Sequence, residues 1–193
     1  MTQSVSEIDP GGLLEYSVVF TDRSLNHMSQ SFQKVMRDIH AGLTEVYACD
    51  AAVIVPGGGS IGIEAVARQF ATDKRALVVR NGWFSYRWSQ VFEVGGVPSD
   101  ARVIMAKRTG DGPEAPFAPP PVAEVVAAIA DEKPDVVCAA HVETSAGMIL
   151  PDDYIAQVAE AAHAVGALMI LDCVASGCVW VDMEATGVDV LIS

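Results

Sequence analysis

Apolar residues in this chain occur either in short unbroken runs or at spacings of three and four positions. Short runs bounded by glycine, proline or charged residues are typical of strands buried on both faces of a parallel sheet. Spacings of three and four are typical of helices with one apolar face. The predicted strands are Ala51–Pro56, Ala76–Arg80, Arg102–Ala106, Asp135–Ala139, Ala167–Leu171 and Val188–Ile192. The predicted helices are Ser29–Tyr47, Ser60–Phe70 with Ser60 as its N-cap, Trp83–Val94, and two whose apolar faces span Val122–Ile129 and Ile155–Ala162.

The alternation of strands and helices predicts an α/β fold of three layers, with helices on both faces of a mostly parallel sheet. Ligands in such folds bind at the carboxyl ends of the strands. Residues 1–24 show no periodicity and are predicted to form an N-terminal arm, followed by one large domain over residues 25–193. The proline- and glycine-rich segment 109–121 is predicted to be a loop of that domain, because strands and helices resume directly after it.

The composition favours a compact globular domain, since 51% of the 193 residues are hydrophobic and 19% are charged. No apolar stretch reaches the about 18 residues of a membrane-spanning helix, and the first residues lack the pattern of a secretory signal. A net charge of −13 argues against binding to nucleic acid or anionic membranes. The cysteines lack zinc-site spacing and are predicted to be reduced thiols, in or near the core of a cytoplasmic protein without a metal site. They are Cys49, Cys138, Cys173 and Cys178.

The sequence GGGSIG at Gly57–Gly62 joins a predicted strand to a predicted helix and fits three motifs. As a dinucleotide fingerprint, with Arg80 near a 2′-phosphate, it indicates an NADP-dependent oxidoreductase. As a nucleophile elbow it makes Ser60 the nucleophile of a hydrolase, although every histidine precedes Asp172 and that triad places the histidine last. As a phosphate cradle, it presents backbone N–H groups at a helix N-terminus, where an anion binds favourably. Three consecutive glycines exceed what a plain turn requires and favour the phosphate cradle.

Polar and aromatic residues follow three other predicted strands. Asp172 ends a run that is predicted to be buried, so its carboxylate requires a cationic or hydrogen-bond donor partner. Either a ligand nitrogen or the N–H groups of the following turn meet this requirement. Trp83 and Phe84 follow another strand, where they either stack on a planar cofactor or belong to the core. Thr144 and Ser145 add hydroxyl groups after a further strand.

The order of phosphate cradle, aromatic pair, hydroxyl loop and aspartate resembles class V aminotransferases of the alanine–glyoxylate and serine–pyruvate type, which are pyridoxal-phosphate enzymes of fold type I. The resemblance extends from about His27 to Ser193 and rests on the segments GGGSIGIEA, NGWFSYRW, HVETSAGMILP and LMILDCVASGCVWVDMEATGVDVLIS. It implies specific roles around pyridoxal 5′-phosphate. These are Gly58, Gly59 and Ser60 at the phosphate, Phe84 stacked on the ring with Trp83 as the neighbouring candidate, Thr144 near the ring oxygen, Asp172 at the pyridinium nitrogen and Val174 on the opposite ring face.

The same resemblance implies a homodimeric transaminase that moves an amino group from alanine or serine to glyoxylate or pyruvate. Aminoethylphosphonate and phosphoserine transaminases are sister activities that remain open, as does the NADP-dependent alternative. Gly58 stands where relatives commonly have a serine, so one hydroxyl donor to the phosphate is absent. The Schiff-base lysine and the C-terminal small domain, with the arginine for the substrate carboxylate, are expected beyond Ser193.

Overall fold

The computed structural model describes residues 14–15, 24–25 and 27–193, which divide into two compact units, Met1–Val53 and Ile54–Ser193. In the first unit the short strands β1 (Leu14–Glu15) and β2 (Ser24–Leu25) pair antiparallel, and helix α1 spans Gln30–Tyr47. Ser29 is the N-cap of α1, and its Oγ accepts a hydrogen bond of 3.0 Å from the N–H of Phe32. The predicted arm lies outside the described residues, apart from 14, 15 and 24.

The second unit is built around a five-stranded parallel sheet whose strands lie in the order Val190–Ile192, Leu168–Asp172, Val136–Ala140, Arg75–Arg80 and Asp100–Met105. Two antiparallel pairs of short strands are inserted between its strands in the sequence, Lys107–Arg108 with Phe117–Ala118 and Val142–Glu143 with Met148–Ile149. Its elements are α2 (Gly59–Phe70), β3 (Arg75–Arg80), α3 (Tyr86–Gly95), β4 (Asp100–Met105), β5 (Lys107–Arg108), β6 (Phe117–Ala118), α4 (Val122–Glu132), β7 (Val136–Ala140), β8 (Val142–Glu143), a 3-10 turn (Thr144–Ala146), β9 (Met148–Ile149), α5 (Asp152–Ala164), β10 (Leu168–Asp172), α6 (Met183–Thr186) and β11 (Val190–Ile192).

Different helices cover the two faces of the sheet. In β3, Leu77 and Val79 join a buried cluster with residues of α4 and α5, whereas Val78 joins another with residues of α2 and α3. This division follows from the geometry of a strand, whose successive side chains point to opposite faces. The sheet is therefore the middle of three layers, which confirms the predicted fold class.

The prediction of a strand at Ala51–Pro56 is wrong. The segment has no strand partner among the described residues, and the side chain of Val53 is 85% exposed. An apolar run becomes a strand only where a neighbouring strand accepts its backbone hydrogen bonds. The prediction that Ser60 caps α2 is also wrong, because the helix begins at Gly59 and its N-cap is Gly58, without a side-chain hydrogen bond.

Three smaller predictions have mixed outcomes. The segment 109–121 is mostly loop, but Phe117–Ala118 pairs with Lys107–Arg108 because the chain folds back on itself there. Cys138 and Cys173 are buried as predicted, whereas Cys178 is exposed because it lies in the turn after β10. Among the residues that the structure describes, no helix is long and apolar enough to cross a membrane.

The packing of β10 makes a testable statement about stability. Ile170 is fully buried in that strand, so the substitution I170V is expected to lower the free energy of unfolding by about 0.5–1.5 kcal/mol. The matched control is I149V, because the side chain of Ile149 is 49% exposed and should change stability by less than about 0.5 kcal/mol. Urea unfolding of both variants measures the difference, and equal effects would contradict the assigned core.

Candidate functional site

Three neighbouring strands place the predicted site residues at one edge of the sheet. In the parallel register, Asp172 of β10 lies beside Ala140 of β7, and Ala139 of β7 lies beside Val79 of β3. The carboxyl ends of these strands therefore meet at the same edge. The loops that follow them carry the aromatic pair, the hydroxyl groups and the residues after Asp172.

The glycine turn before α2 packs directly against the loop after β10. A Cβ atom at Gly59 would lie 2.5 and 2.7 Å from the two methyl groups of Val174 and 3.1 Å from its Cβ. A Cβ atom essentially never lies within 3.0 Å of another carbon atom, so only glycine permits this contact. The structure thus brings together two of the predicted site residues that lie far apart in the sequence.

The N-terminus of α2 presents hydrogen-bond donors without a protein partner. The carbonyl of Gly58 accepts from the N–H groups of Ile61 and Gly62, at 2.9 and 3.4 Å. Within the described part of the chain, the N–H groups of Gly59 and Ser60 and the hydroxyl of Ser60 donate to no other group. Free donors combined with the positive end of the helix dipole suit a phosphate group.

The other two interpretations of the glycine turn lose their structural context. Both the dinucleotide fingerprint and the nucleophile elbow require a strand immediately before the turn, and no strand is described at 51–56. The guanidinium of Arg80 is engaged elsewhere. It donates to Ser89 Oγ at 3.4 Å and to Met105 Sδ at 3.0 Å, and it lies 5.1 Å from the centre of the Tyr86 ring.

Asp172 is a buried carboxylate with one hydrogen-bond donor. Its side chain is 6% exposed, and Oδ1 accepts from the N–H of Val174 at 3.0 Å. No other donor reaches this carboxylate from the described residues. Burial raises the pKa of Asp172 and outweighs the Val174 hydrogen bond, and the nearby charge of Glu143 raises the pKa further. A cationic N–H group of a ligand would supply the partner that the carboxylate lacks.

Large apolar side chains remain exposed in the loops at this edge of the sheet. Trp83 is 62% exposed, Phe84 is 42% exposed and Val174 is 45% exposed. The ring of Trp83 contacts that of Tyr86 with the centroids 5.7 Å apart, while the exposed Thr144 begins the 3-10 turn. Apolar surfaces around a few polar groups are the usual lining of small-molecule sites.

Sequence reasoning missed Glu143, the most completely hydrogen-bonded side chain at this edge. It is 1% exposed, and it accepts from the N–H groups of Phe84 at 2.9 Å and Ser85 at 3.0 Å. It also accepts from the hydroxyl groups of Ser85 at 2.8 Å and Ser145 at 2.6 Å. Burial alone would raise the pKa of Glu143, but these hydrogen bonds outweigh it and lower the pKa. The available signal for Glu143 was a carboxylate near the end of a strand, which is the same feature that directed attention to Asp172.

The same bonds correct the predicted start of a helix. Helix α3 begins at Tyr86 rather than at Trp83, because the N–H groups of residues 83–85 donate to side chains of the loop after β7. These three residues therefore form a turn whose backbone N–H groups are bound by the side chains of Glu143 and Ser145. The aromatic pair is carried by that turn and not by the helix.

A second buried pair supports the turn after Asp172. His141 is 2% exposed, and its Nδ1 lies 2.7 Å from Ser176 Oγ. The N–H of His141 donates to the carbonyl of Asp172 at 2.9 Å. Burial lowers the pKa of His141, which favours the neutral ring at this position. No group of three or more potential metal ligands is arranged to hold an ion within the described residues.

Comparison with known proteins gives a consistent result. The sequence model of the family described as "Aminotransferase class-V" matches residues 13–193. A 2-aminoethylphosphonate–pyruvate transaminase of Burkholderia pseudomallei is 33% identical over 172 residues, which are 84% of this chain and 42% of that protein. One of Vibrio vulnificus is 30% identical over 145 residues, covering 74% of this chain and 36% of that protein. The chain thus spans about two fifths of the length of these curated relatives.

Solved structures show the same similarity. An alanine–glyoxylate aminotransferase from Nostoc sp. superposes with a TM-score of 0.71 at 26% identity, covering 86% of this chain and 42% of that one. A ureidoglycine–glyoxylate aminotransferase from Bacillus subtilis superposes with a TM-score of 0.68 at 22% identity, covering 83% of this chain and 39% of that one. The second likeness supports the fold alone.

Proposed function

The chain belongs to the class V aminotransferase family, and from this premise we propose that it forms the cofactor-binding part of a pyridoxal-phosphate-dependent aminotransferase. Pyridoxal 5′-phosphate is the cofactor that family membership indicates. The observation that carries the proposal is the buried carboxylate of Asp172, which lies at the same sheet edge as the free donors of α2 and lacks a cationic partner among the described residues. In this proposal residues 25–193 belong to the large domain, and the protein acts as a homodimer.

The residues at the edge fit the parts of this cofactor. The N–H groups of Gly59 and Ser60 and the Ser60 hydroxyl would hold its phosphate, next to Gly58 at the N-cap of α2. Phe84 would lie on one face of the ring and Val174 on the other. The closeness of Gly59 to Val174 supports this arrangement, because it joins the phosphate end of the site to the ring end.

The remaining roles concern a proton and a hydroxyl group. Asp172 would hold a proton on the ring nitrogen, and the burial of its carboxylate strengthens that interaction. Thr144 would face the ring oxygen, and Trp83 would help to exclude water beside Phe84. When bound, the cofactor supplies an electron-accepting ring and carries the amino group between donor and acceptor.

For the substrates, we propose the alanine–pyruvate pair together with one other small amine. A transfer from 2-aminoethylphosphonate to pyruvate yields alanine, and a transfer from alanine to glyoxylate yields pyruvate. The relatives at 30–33% identity support 2-aminoethylphosphonate as the other amine. The Nostoc protein supports glycine, which is the product when glyoxylate accepts the amino group. Serine remains a further candidate donor.

Half-reactions test the proposed activity. The full-length protein loaded with pyridoxal 5′-phosphate should convert it to the pyridoxamine form when alanine or 2-aminoethylphosphonate is added without an acceptor. The measurement is the amount of pyridoxamine 5′-phosphate released on denaturation, with ethanolamine as a control amine that lacks the phosphonate. If the protein binds the cofactor but none of these donors converts it to pyridoxamine 5′-phosphate, the proposed transaminase activity is contradicted. Binding of NADPH in place of the cofactor would favour the oxidoreductase.

A further inference from the structure

The turn that carries the aromatic pair is attached to the loop after β7 by consecutive hydrogen bonds. The N–H of Trp83 donates to Ser145 Oγ at 2.9 Å, and the next two N–H groups donate to the two oxygens of Glu143. The hydroxyl of Ser145 in turn donates to Glu143 Oε1 at 2.6 Å. Residues 58 to 62 positions apart in the sequence are thereby joined, so the orientation of the turn depends on one carboxylate.

A glycine makes this attachment possible. A Cβ atom at Gly82 would lie 2.5 Å from Ser145 Oγ and 2.7 Å from both Cγ and Cδ of Glu143. Any larger residue would push the carboxylate away from the N–H groups that it accepts from. The glycine of the segment NGWF and the glutamate of the segment HVETS therefore form one structural unit.

The chemistry of the unit requires a carboxylate. Four donors converge on the two oxygens, and an ionised carboxylate is the side chain that accepts at both. Successive backbone N–H groups form a concave anion site, which in this chain is filled by the chain's own glutamate. A glutamine would keep one accepting oxygen and would turn an NH2 group either toward the donors of Ser85 or toward those of Phe84 and Ser145.

We propose that Glu143 is a positioning residue for the cofactor ring, because it fixes the turn from which Phe84 and Trp83 face the site. The inference rests on the function proposed above, since it requires a ring bound between Phe84 and Val174. Glu143 acts through the turn and does not touch the substrate. Its loss should disturb the ring end of the site while leaving the phosphate end at α2 intact.

The test uses pyridoxamine 5′-phosphate, which needs no covalent bond to the protein. In the full-length protein, E143Q should weaken its binding about tenfold. The circular dichroism that the protein induces in the bound ring should also fall per bound molecule at saturation, because the ring is held less firmly. The affinity for inorganic phosphate, measured by competition, should remain that of the unsubstituted protein.

The controls separate this inference from its premise. E93Q changes an exposed glutamate of α3 and should leave all three measurements unchanged. Failure of the unsubstituted protein to bind pyridoxamine 5′-phosphate would overturn the proposed function itself. Two outcomes would overturn only the positioning role, provided that the unsubstituted protein binds pyridoxamine 5′-phosphate. One is an unchanged circular dichroism signal in E143Q, and the other is a loss of phosphate affinity in E143Q as large as its loss of pyridoxamine 5′-phosphate affinity. If E143Q does not fold, S145A decides, because it removes the bond to Trp83, and an unchanged dichroism signal would overturn the proposal.

Discussion

Replacing Asp172 by asparagine is expected to weaken the binding of pyridoxamine 5′-phosphate by at least about 30-fold. Removing one partner of a buried charge pair costs about 2–5 kcal/mol, and each factor of ten in affinity corresponds to about 1.4 kcal/mol. Asparagine keeps the oxygen that accepts from Val174, so the loss would come from the missing charge. Quenching of tryptophan fluorescence by the ligand measures the affinity, since Trp83 is 62% exposed at the site.

Inorganic phosphate provides the control for this variant, because its affinity should not change in D172N.

The stability of the protein without cofactor should not fall in D172N, although its affinity for the cofactor falls. Burial raises the pKa of Asp172 above its unfolded value, so the stability linked to this group is fully present below the unfolded pKa and falls as the pH rises through the folded pKa. At neutral pH, D172N should therefore be at least as stable as the unsubstituted protein. A large loss of stability would indicate that Asp172 is structural.

The substitution G59A is expected to lower the free energy of unfolding by about 1–3 kcal/mol, which is the usual cost of overpacking. The added Cβ would lie 2.5 and 2.7 Å from the methyl groups of Val174 and 3.1 Å from its Cβ, so a change of rotamer would relieve the contact only in part. Movement of Val174 would also withdraw its N–H from Asp172. Binding of both phosphate and pyridoxamine 5′-phosphate should weaken, as measured by titration alongside thermal unfolding.

The matched control for this substitution is G58A. A Cβ at Gly58 meets no atom within 4 Å, and the residue has φ of −91°, so stability should be nearly unchanged. The double variant G59A/V174A should recover part of the lost stability, because the contacts with the two methyl groups are removed. Strict additivity of the two single effects would show that Gly59 and Val174 do not interact, which would contradict the described site.

The layers of the fold could be predicted because burial leaves a local pattern in the sequence. The run at 167–171 and the spacing in α5 each report which side chains face the core, and both elements lie within a few residues of their predicted bounds. The burial of Asp172 was predictable for the same reason, since the run before it has no polar position. The resemblance to class V aminotransferases was carried by short segments at strand ends, and the family match confirms it.

What the sequence did not reveal depends on partners that are distant along the chain. The carboxylate of Glu143 binds N–H groups 58 and 59 positions away, and no local periodicity marks such a pair. The apolar run at 51–56 illustrates the converse error. Its composition is that of a strand, but a strand also needs a neighbour, and neighbours are determined by topology.

The contact between Gly59 and Val174 and the bonds from Glu143 to Phe84 also have a consequence for motion. Four segments of the chain are held together at this edge, namely the start of α2, the turn at 83–85 and the loops after β7 and β10. Opening any one of them breaks contacts with another. A ligand that binds only the closed arrangement stabilises it in proportion to its occupancy. Amide hydrogen exchange in all four segments should then slow together on cofactor binding, as in a single cooperative opening unit.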